Sequence, residues 1–205
     1  MPVSLLDLMK VQNDGIKEVL KNSMITSKGK LNIRELTESD KSLLVQWLSN
    51  PLVLQYYEGR DNPHDIKKVS EHFYQRDNDV TGCIIEFENK AIGYIQFYLL
   101  ESEFKKEYGY NESETIYGTD QFIGEAECWN KGIGTQVVKL MIAYLIQHKY
   151  ADKIVMDPQA WNQRALSCYE KCGFKKVKYL PQHEYHEGKY QDCWLIEYAR
   201  NNRKG

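Results

Sequence analysis

Trp129-Asn130-Lys131-Gly132-Ile133-Gly134-Thr135 stands between a strand pattern and a long amphipathic helix pattern. Two glycines one residue apart at the head of a helix leave several backbone N–H groups uncovered, and such a turn seats a phosphate or diphosphate. No Lys-Ser or Lys-Thr pair follows Gly134, and the glycine spacing of a dinucleotide fingerprint is missing, so neither a P-loop nor a Rossmann turn fits. Upstream, residues 114–124 alternate like a strand. Downstream, Ile133, Val137, Leu140, Met141, Tyr144 and Leu145 mark the buried face of a helix over 132–148. Residues 153–156 form a short apolar strand pattern closed by Asp157-Pro158. Strand, long helix, strand implies a parallel pair joined by a crossover.

Working outward, residues 31–36 alternate as a strand, and Thr37 with Asp40 forms a capping-box-like start. Leu43, Leu44, Trp47 and Leu48 give the helix that follows its apolar face, and Asn50-Pro51 ends it. Residues 52–57 read as a short apolar turn. A second helix is expected from Asn62 and Pro63, with Ile66, Val69 and Phe73 on one side. Residues 82–87 and 91–100 are strands of a hairpin around Glu88-Asn89-Lys90, and 101–113 read as a polar, aromatic loop. Residues 162–172 form a helix stopped by Gly173, and 174–180 and 193–198 are the last strands. The expectation is an α/β (α+β) domain with a mixed, mostly antiparallel sheet and flanking helices over residues 31–200. Residues 1–30 read as an N-terminal extension and linker carrying one short amphipathic helix, and 201–205 as a tail.

Composition narrows the function. A chain of 205 residues with 27 basic and 29 acidic side chains, net −2, has no basic block for nucleic acid. No apolar run is long enough to span a membrane, and residues 3–9 are interrupted by Asp7, so no membrane partner and no signal peptide are expected. Five cysteines without a regular framework favour a reduced, cytoplasmic protein. Cys168, Cys172, His183 and His186 loosely match a zinc pattern, but the first two fall in a helix and the gap to the histidines is short, so no metal is expected. Asp120 is out of character in a strand, where aspartate is depleted, yet it shares a face with Ile116 and Phe122.

Gly132 and Gly134, with Asn162-Gln163-Arg164-Ala165 and Cys168-Tyr169-Glu170-Lys171-Cys172-Gly173-Phe174, resemble the GNAT family of N-acetyltransferases. Trp129 departs from that family's pattern, which carries Arg or Gln there. Within the family, the closer resemblance is to aminoglycoside 6'-N-acetyltransferases, including the acetyltransferase halves of bifunctional acetyltransferase–phosphotransferases. It rests on Tyr56-Tyr57-Glu58-Gly59-Arg60-Asp61, on Tyr117-Gly118-Thr119-Asp120-Gln121-Phe122-Ile123-Gly124-Glu125, on Val155-Met156-Asp157-Pro158, and on the run from Leu180-Pro181 to Asp192-Cys193.

The resemblance implies a sheet with a splayed parallel pair at its centre and acetyl-CoA as cosubstrate. The diphosphate would sit on the backbone N–H groups of Lys131, Gly132, Ile133, Gly134 and Thr135. The pantetheine would run along Phe122, Ile123 and Gly124, with Asn162 on its other side. Asp120 would take the proton of the acceptor amine, directly or through water, because only a neutral amine attacks a carbonyl. Tyr169 would donate to the departing thiolate, and a backbone N–H near Ile123 would polarise the thioester carbonyl. The implied acceptor is a cationic aminoglycoside. Eight acidic residues between Glu101 and Glu127, against Lys105 and Lys106, would supply an attracting field, with Glu58, Asp61, Asp157, Asp192 and Glu187 as further contacts. The rival readings are a related acetyltransferase for a protein N-terminus or polyamine, and a non-catalytic acyl-CoA-binding module. A monomer is the expected state.

Overall fold

The structure is a computed structural model that describes residues 24–75 and 80–200. One eight-stranded sheet holds it together: β1 (Met24–Lys28), β2 (Leu31–Glu35), β3 (Thr81–Phe87), β4 (Lys90–Leu99), β5 (Ile116–Ile123), β6 (Lys153–Met156), β7 (Lys175–His186) and β8 (Lys189–Ala199). Their order is β1-β2-β3-β4-β5-β6-β8-β7, and every pairing is antiparallel except β5 with β6. The crossover between that parallel pair carries the long helix α5 (Ile133–His148), as the sequence requires. The other α-helices are α1 (Lys41–Trp47), α2 (Pro51–Leu54), α3 (Ile66–Val69), which continues as a π-helical turn over Ser70–Tyr74, α4 (Ser102–Tyr108) and α6 (Gln163–Lys171).

The strand period sorts side chains onto two faces. On β3, Cys83 and Ile85 join the cluster under α5 and α6 (Val137, Met141, Leu145, Leu166), while Ile84 between them joins Leu44, Trp47, Leu54 and Val69 under α1–α3. A third cluster of Leu100, Ile116, Val155, Leu180, Cys193 and Leu195 fills the end of the sheet beside β7 and β8. The Thr37 start is tightened from the sheet. Arg34 on β2 makes two 2.7 Å bonds to Asp40 and one of 2.8 Å to Glu86 on β3, and Asp40 also accepts the Thr37 N–H at 2.8 Å.

Several boundaries differ from the sequence reading. Met24–Lys28, expected as linker, pairs with β2 as an edge strand, so the folded unit starts at least seven residues before Leu31. The expected amphipathic helix before it, and the 201–205 tail, lie outside the described residues. Part of 101–113 is helical as α4, closed by Gly109 in the left-handed region at φ 77°. The short apolar turn read over 52–57 begins as one helical turn, Pro51–Leu54, with the Asn50 side chain accepting from Leu52 N–H. The second helix starts later than expected, at Ile66 under an Asp65 cap, and Ile66 stays 55% exposed while Val69 and Phe73 are buried. The last two strands are longer than read because their outer halves form a hairpin whose polar, exposed residues carry no apolar period.

Candidate active site

β5 and β6 pair only at Ile116–Lys153, Tyr117–Ile154 and Gly118–Val155. From Thr119 onward β5 keeps β4 as its neighbour while the chain after β6 turns away. Pro158, which has no N–H, follows the end of β6, and its carbonyl accepts from Trp194 on β8 at 3.0 Å. The opening is a cleft of about 810 Å³. Ligands gather at such carboxyl ends of parallel strands.

Asp120 lies in the wall of this cleft. Gln96, its cross-strand neighbour on β4, donates to Oδ2 at 2.8 Å. Tyr98, two residues along β4, hydrogen-bonds the same carboxylate. Tyr98 reaches it because Gly118 lies opposite; a Cβ there would stand 2.4 Å from the tyrosine ring. Burial raises the Asp120 pKa to about 6 and the nearby Asp157 charge adds to the rise, against the two hydrogen bonds. A carboxylate so tuned is ionised at neutral pH yet far more basic than an exposed one.

Tyr169 approaches from the other face of the sheet, on α6. Gln121 Nε2, one residue after Asp120, donates to the Tyr169 hydroxyl oxygen at 2.7 Å. That bond occupies an acceptor site and leaves the phenolic proton to be given away. Burial pushes the phenol well above its ordinary pKa, so it holds that proton throughout the neutral range. The two candidate catalytic groups therefore flank the same edge of β5.

The glycine turn lies on the α5 side. Asn130 and Gly132 both have positive φ, 59° and 75°, and Gly132 caps α5. Alternating left-handed residues turn successive N–H groups inward, as an anion needs. Gly132, Gly134 and Thr135 line the cleft, whereas the Lys131 side chain does not and Ile133 packs in the core. What those two offer is backbone. Trp129, the family's missing Arg or Gln, donates its indole N–H to the Ile123 carbonyl at 2.8 Å and carries the Arg164 guanidinium 4.5 Å from its ring. Tyr56 stacks on the same guanidinium at 4.2 Å. One carbonyl of the expected pantetheine edge is thus already engaged. Phe122, Ile123 and Asn162 all line the cleft, and the Asn162 oxygen also caps α6 through Ala165 N–H at 3.1 Å.

The acidic wall comes from other residues than the run 101–127. Of that run only Asp120 lines the cleft: Glu125 accepts from Trp47 Nε1 at 2.8 Å and Glu114 pairs with Lys153 at 3.0 Å. Asp120 is joined instead by Asp157, Glu58 and Glu184. Asp157 pairs with His183 at 2.9 Å, and that contact raises the histidine's pKa. Glu184 accepts from Gln159 at 2.9 Å; burial, then Asp157, raises its pKa. For Glu58 burial acts upward, but His64 at 3.5 Å, His72 at 3.4 Å and Lys68 outweigh it. Asp61 is exposed and outside the lining. Asp192 also lies outside it, because its carboxylate takes the Tyr179 hydroxyl at 2.7 Å and the Gln182 N–H at 2.8 Å, holding the irregularity in β7. Glu187 clasps Arg60 at 2.5 Å. The sequence reading missed Gln96, Tyr98, Gln159 and Glu184; the available signal was a glutamine inside the otherwise apolar β4.

Cys168 and Cys172 stay on α6, His183 faces Asp157, and buried His186 contacts the Gln55 carbonyl at 3.2 Å. No group of three or more His, Cys, Asp or Glu that could hold a metal ion occurs among the described residues, and no described helix is long and apolar enough to cross a membrane.

This geometry agrees with what the chain is similar to. Residues 37–181 match the family described as acetyltransferase (GNAT) domain. The chain is 30% identical over 165 residues to the aminoglycoside N(6')-acetyltransferase type 1 of Klebsiella pneumoniae, covering 77% of this chain and 81% of that one. Among solved structures it superposes on AAC(6')-Ib with ribostamycin and coenzyme A at TM-score 0.69 and 25% identity, over 86% of this chain and 99% of the other. On the same enzyme with coenzyme A and kanamycin it reaches TM-score 0.66 and 26% identity, over 83% and 95%. A sheet opened at one parallel pair, a glycine turn heading the crossover helix and a family match over most of the chain lead to one assignment: this protein is a member of the GNAT acetyltransferase family.

Proposed function

We propose that the chain transfers the acetyl group of acetyl-CoA to the 6'-amine of aminoglycoside antibiotics and so confers resistance to them. The observation that carries this reading is the pairing of Asp120 and Tyr169 across the open edge of β5, with a glycine turn on one side and three further carboxylates on the other. The donor residues fit a coenzyme of this kind: Gly132, Gly134 and Thr135 leave backbone N–H groups clear for a diphosphate, and Phe122, Ile123 and Asn162 border the channel leading to Asp120. The bound coenzyme supplies an activated acetyl thioester. Asp120, Asp157, Glu58 and Glu184 draw in a polycation, and Asp120 takes a proton from the amine that approaches, directly or through water. Tyr169 hands its proton toward the leaving sulfur.

The test is incubation with acetyl-CoA and kanamycin, followed by mass spectrometry and assignment of the acetylated position. One acetyl group on the 6'-nitrogen is expected. Turnover on spermidine or a peptide N-terminus with none on any aminoglycoside overturns the reading. Tyr169→Phe is expected to lower kcat about tenfold to a hundredfold with little change in KM for either substrate. Glu184→Gln removes one attracting charge and is expected to raise the acceptor KM about fivefold at low salt, an effect that added salt diminishes. Both are read from steady-state kinetics.

A further inference from the structure

β6 ends at Met156, one residue past its last pairing with β5 at Gly118–Val155. Across the seam so opened, the Met156 sulfur lies 3.3 Å from Gln121 Nε2 on β5. The same nitrogen is 2.7 Å from the Tyr169 hydroxyl. Gln121 Oε1 is 3.2 Å from the hydroxyl of Thr119, two residues back on the same face of the strand. Thr119 and Met156 are both buried, whereas Gln121 and Tyr169 line the cleft. Which end of a glutamine amide faces which neighbour is settled by the chemistry of those neighbours. The Thr119 and Tyr169 hydroxyls do not settle it, because each can donate or accept. The Met156 thioether does, because it only accepts. Turned over, the amide would set its oxygen against the sulfur and would accept the Tyr169 proton. As it stands, the NH2 group serves the sulfur and the phenol oxygen at once, and Thr119 donates to Oε1. The sulfur thus fixes the sense of a short hydrogen-bonded chain that ends on the phenol.

We propose that Gln121, its amide held in one sense by Met156, is a positioning residue for Tyr169: it keeps the phenolic proton turned away from itself and stabilises the phenolate left when that proton has gone. This rests on the part given to Tyr169 in the function proposed above. As the bond from acetyl carbon to sulfur breaks, the Tyr169 O–H bond breaks too and an S–H bond forms, so the negative charge comes to rest on the phenol oxygen. The Gln121 N–H then points at an anion instead of a neutral oxygen, and a hydrogen bond to a charged group is about twice as strong. The interaction is therefore stronger as the sulfur departs than when the substrates first bind, which is the condition for raising kcat. The phenolate regains a proton from solvent before the next cycle.

The experiment measures steady-state acetylation by the full chain, with kanamycin as acceptor or spermidine if the parent acetylates only that, together with coenzyme A binding by calorimetry. Gln121→Glu puts an acceptor where the donor stood, so the carboxylate holds the phenolic proton for itself and opposes the phenolate. Its kcat is expected to fall about tenfold to a hundredfold, with both KM values and coenzyme A affinity within about twofold of the parent. Gln121→Met introduces no buried charge but cannot donate, and should lower kcat about tenfold. In a Tyr169→Phe background neither change should cost more than about a further twofold, since residues acting as a unit are not additive. Unchanged kcat in either Gln121 variant overturns the positioning role. So does a loss that persists in full in the Tyr169→Phe background, or one that falls on KM and coenzyme A binding instead of kcat. Normal kcat in Tyr169→Phe alone overturns the part given to Tyr169 and this inference with it, while leaving the acceptor assignment to the kanamycin assay. A parent that acetylates no amine overturns both.

Discussion

Asp120→Asn lowers turnover about a hundredfold to ten-thousandfold and leaves coenzyme A binding unchanged. The replacement keeps the shape and keeps an oxygen for the Gln96 amide, which donates at 2.8 Å. What it removes is the basic lone pair. The parent enzyme should also show an acidic limb in kcat/KM near pH 6, where burial places the Asp120 carboxyl. Below that pH the group is protonated and cannot accept the amine proton, so the rate falls about tenfold per pH unit. The limb should be missing from the residual activity of the variant. Full turnover in Asp120→Asn, or a limb that survives in it, removes Asp120 from its role. The same substitution carries an opposite sign for stability. A carboxyl whose pKa is raised on folding, from 3.8 to about 6, binds its proton more tightly in the folded state. Stability therefore falls as pH rises through that window and stays reduced above it. Asparagine never carries the charge. The inactive variant should be more stable than the parent at pH 7 by about 1–2 kcal/mol, readable as a Tm higher by a few degrees, and equal to it near pH 3.

Gly93→Ala destabilises the centre of the sheet. Gly93 faces Ile123 across the β4–β5 ladder, and a Cβ there would stand 2.3 Å from the Phe122 carbonyl oxygen and 2.9 Å from the Ile123 Cα. Both obstacles are backbone, so no rotamer change relieves the overlap. One methyl group should cost about 3 kcal/mol, seen as a lower urea midpoint. The displaced strand is the one carrying Asp120 to Ile123, so the surviving folded fraction should also bind coenzyme A more weakly. Gly109→Ala is the control. Nothing lies within 4 Å of its added Cβ, and only its left-handed φ of 77° opposes the change, for about 1 kcal/mol. Equal losses in the two variants would show that backbone conformation rather than the close strand approach sets the cost.

What the sequence made legible was local. The α5 face, its glycine start and the short β6 follow from periodicity and turn chemistry within a few residues, and the structure repeats them nearly to the residue. The parallel pairing was also legible, because a helix between two short strands permits little else. α4 was not, since Ser102–Tyr108 is mostly charged and sits on the surface; the Gly109 cap was its only mark. β1 was lost because an edge strand with mainly exposed residues carries no hydrophobic alternation. The acidic wall failed for a different reason. Nearness in sequence grouped the carboxylates of 101–127, whereas the cleft draws one residue each from β5, the end of β6, the β7 hairpin and the segment after α2. Cross-strand partners such as Gln96 and Tyr98 belong to register, which a single sequence does not display.

The early parting of β5 from β6 leaves one seam of an otherwise continuous sheet unsewn. Backbone groups along that seam lack the strand that would normally answer them, and an extended ligand arm laid there, as proposed for the coenzyme, would do the work of a missing strand. Occupancy and folding then become one equilibrium: each tenfold excess of ligand over its dissociation constant adds about 1.4 kcal/mol to the folded state. On the proposed function the melting temperature of the protein would then be a gauge of how much cosubstrate surrounds it.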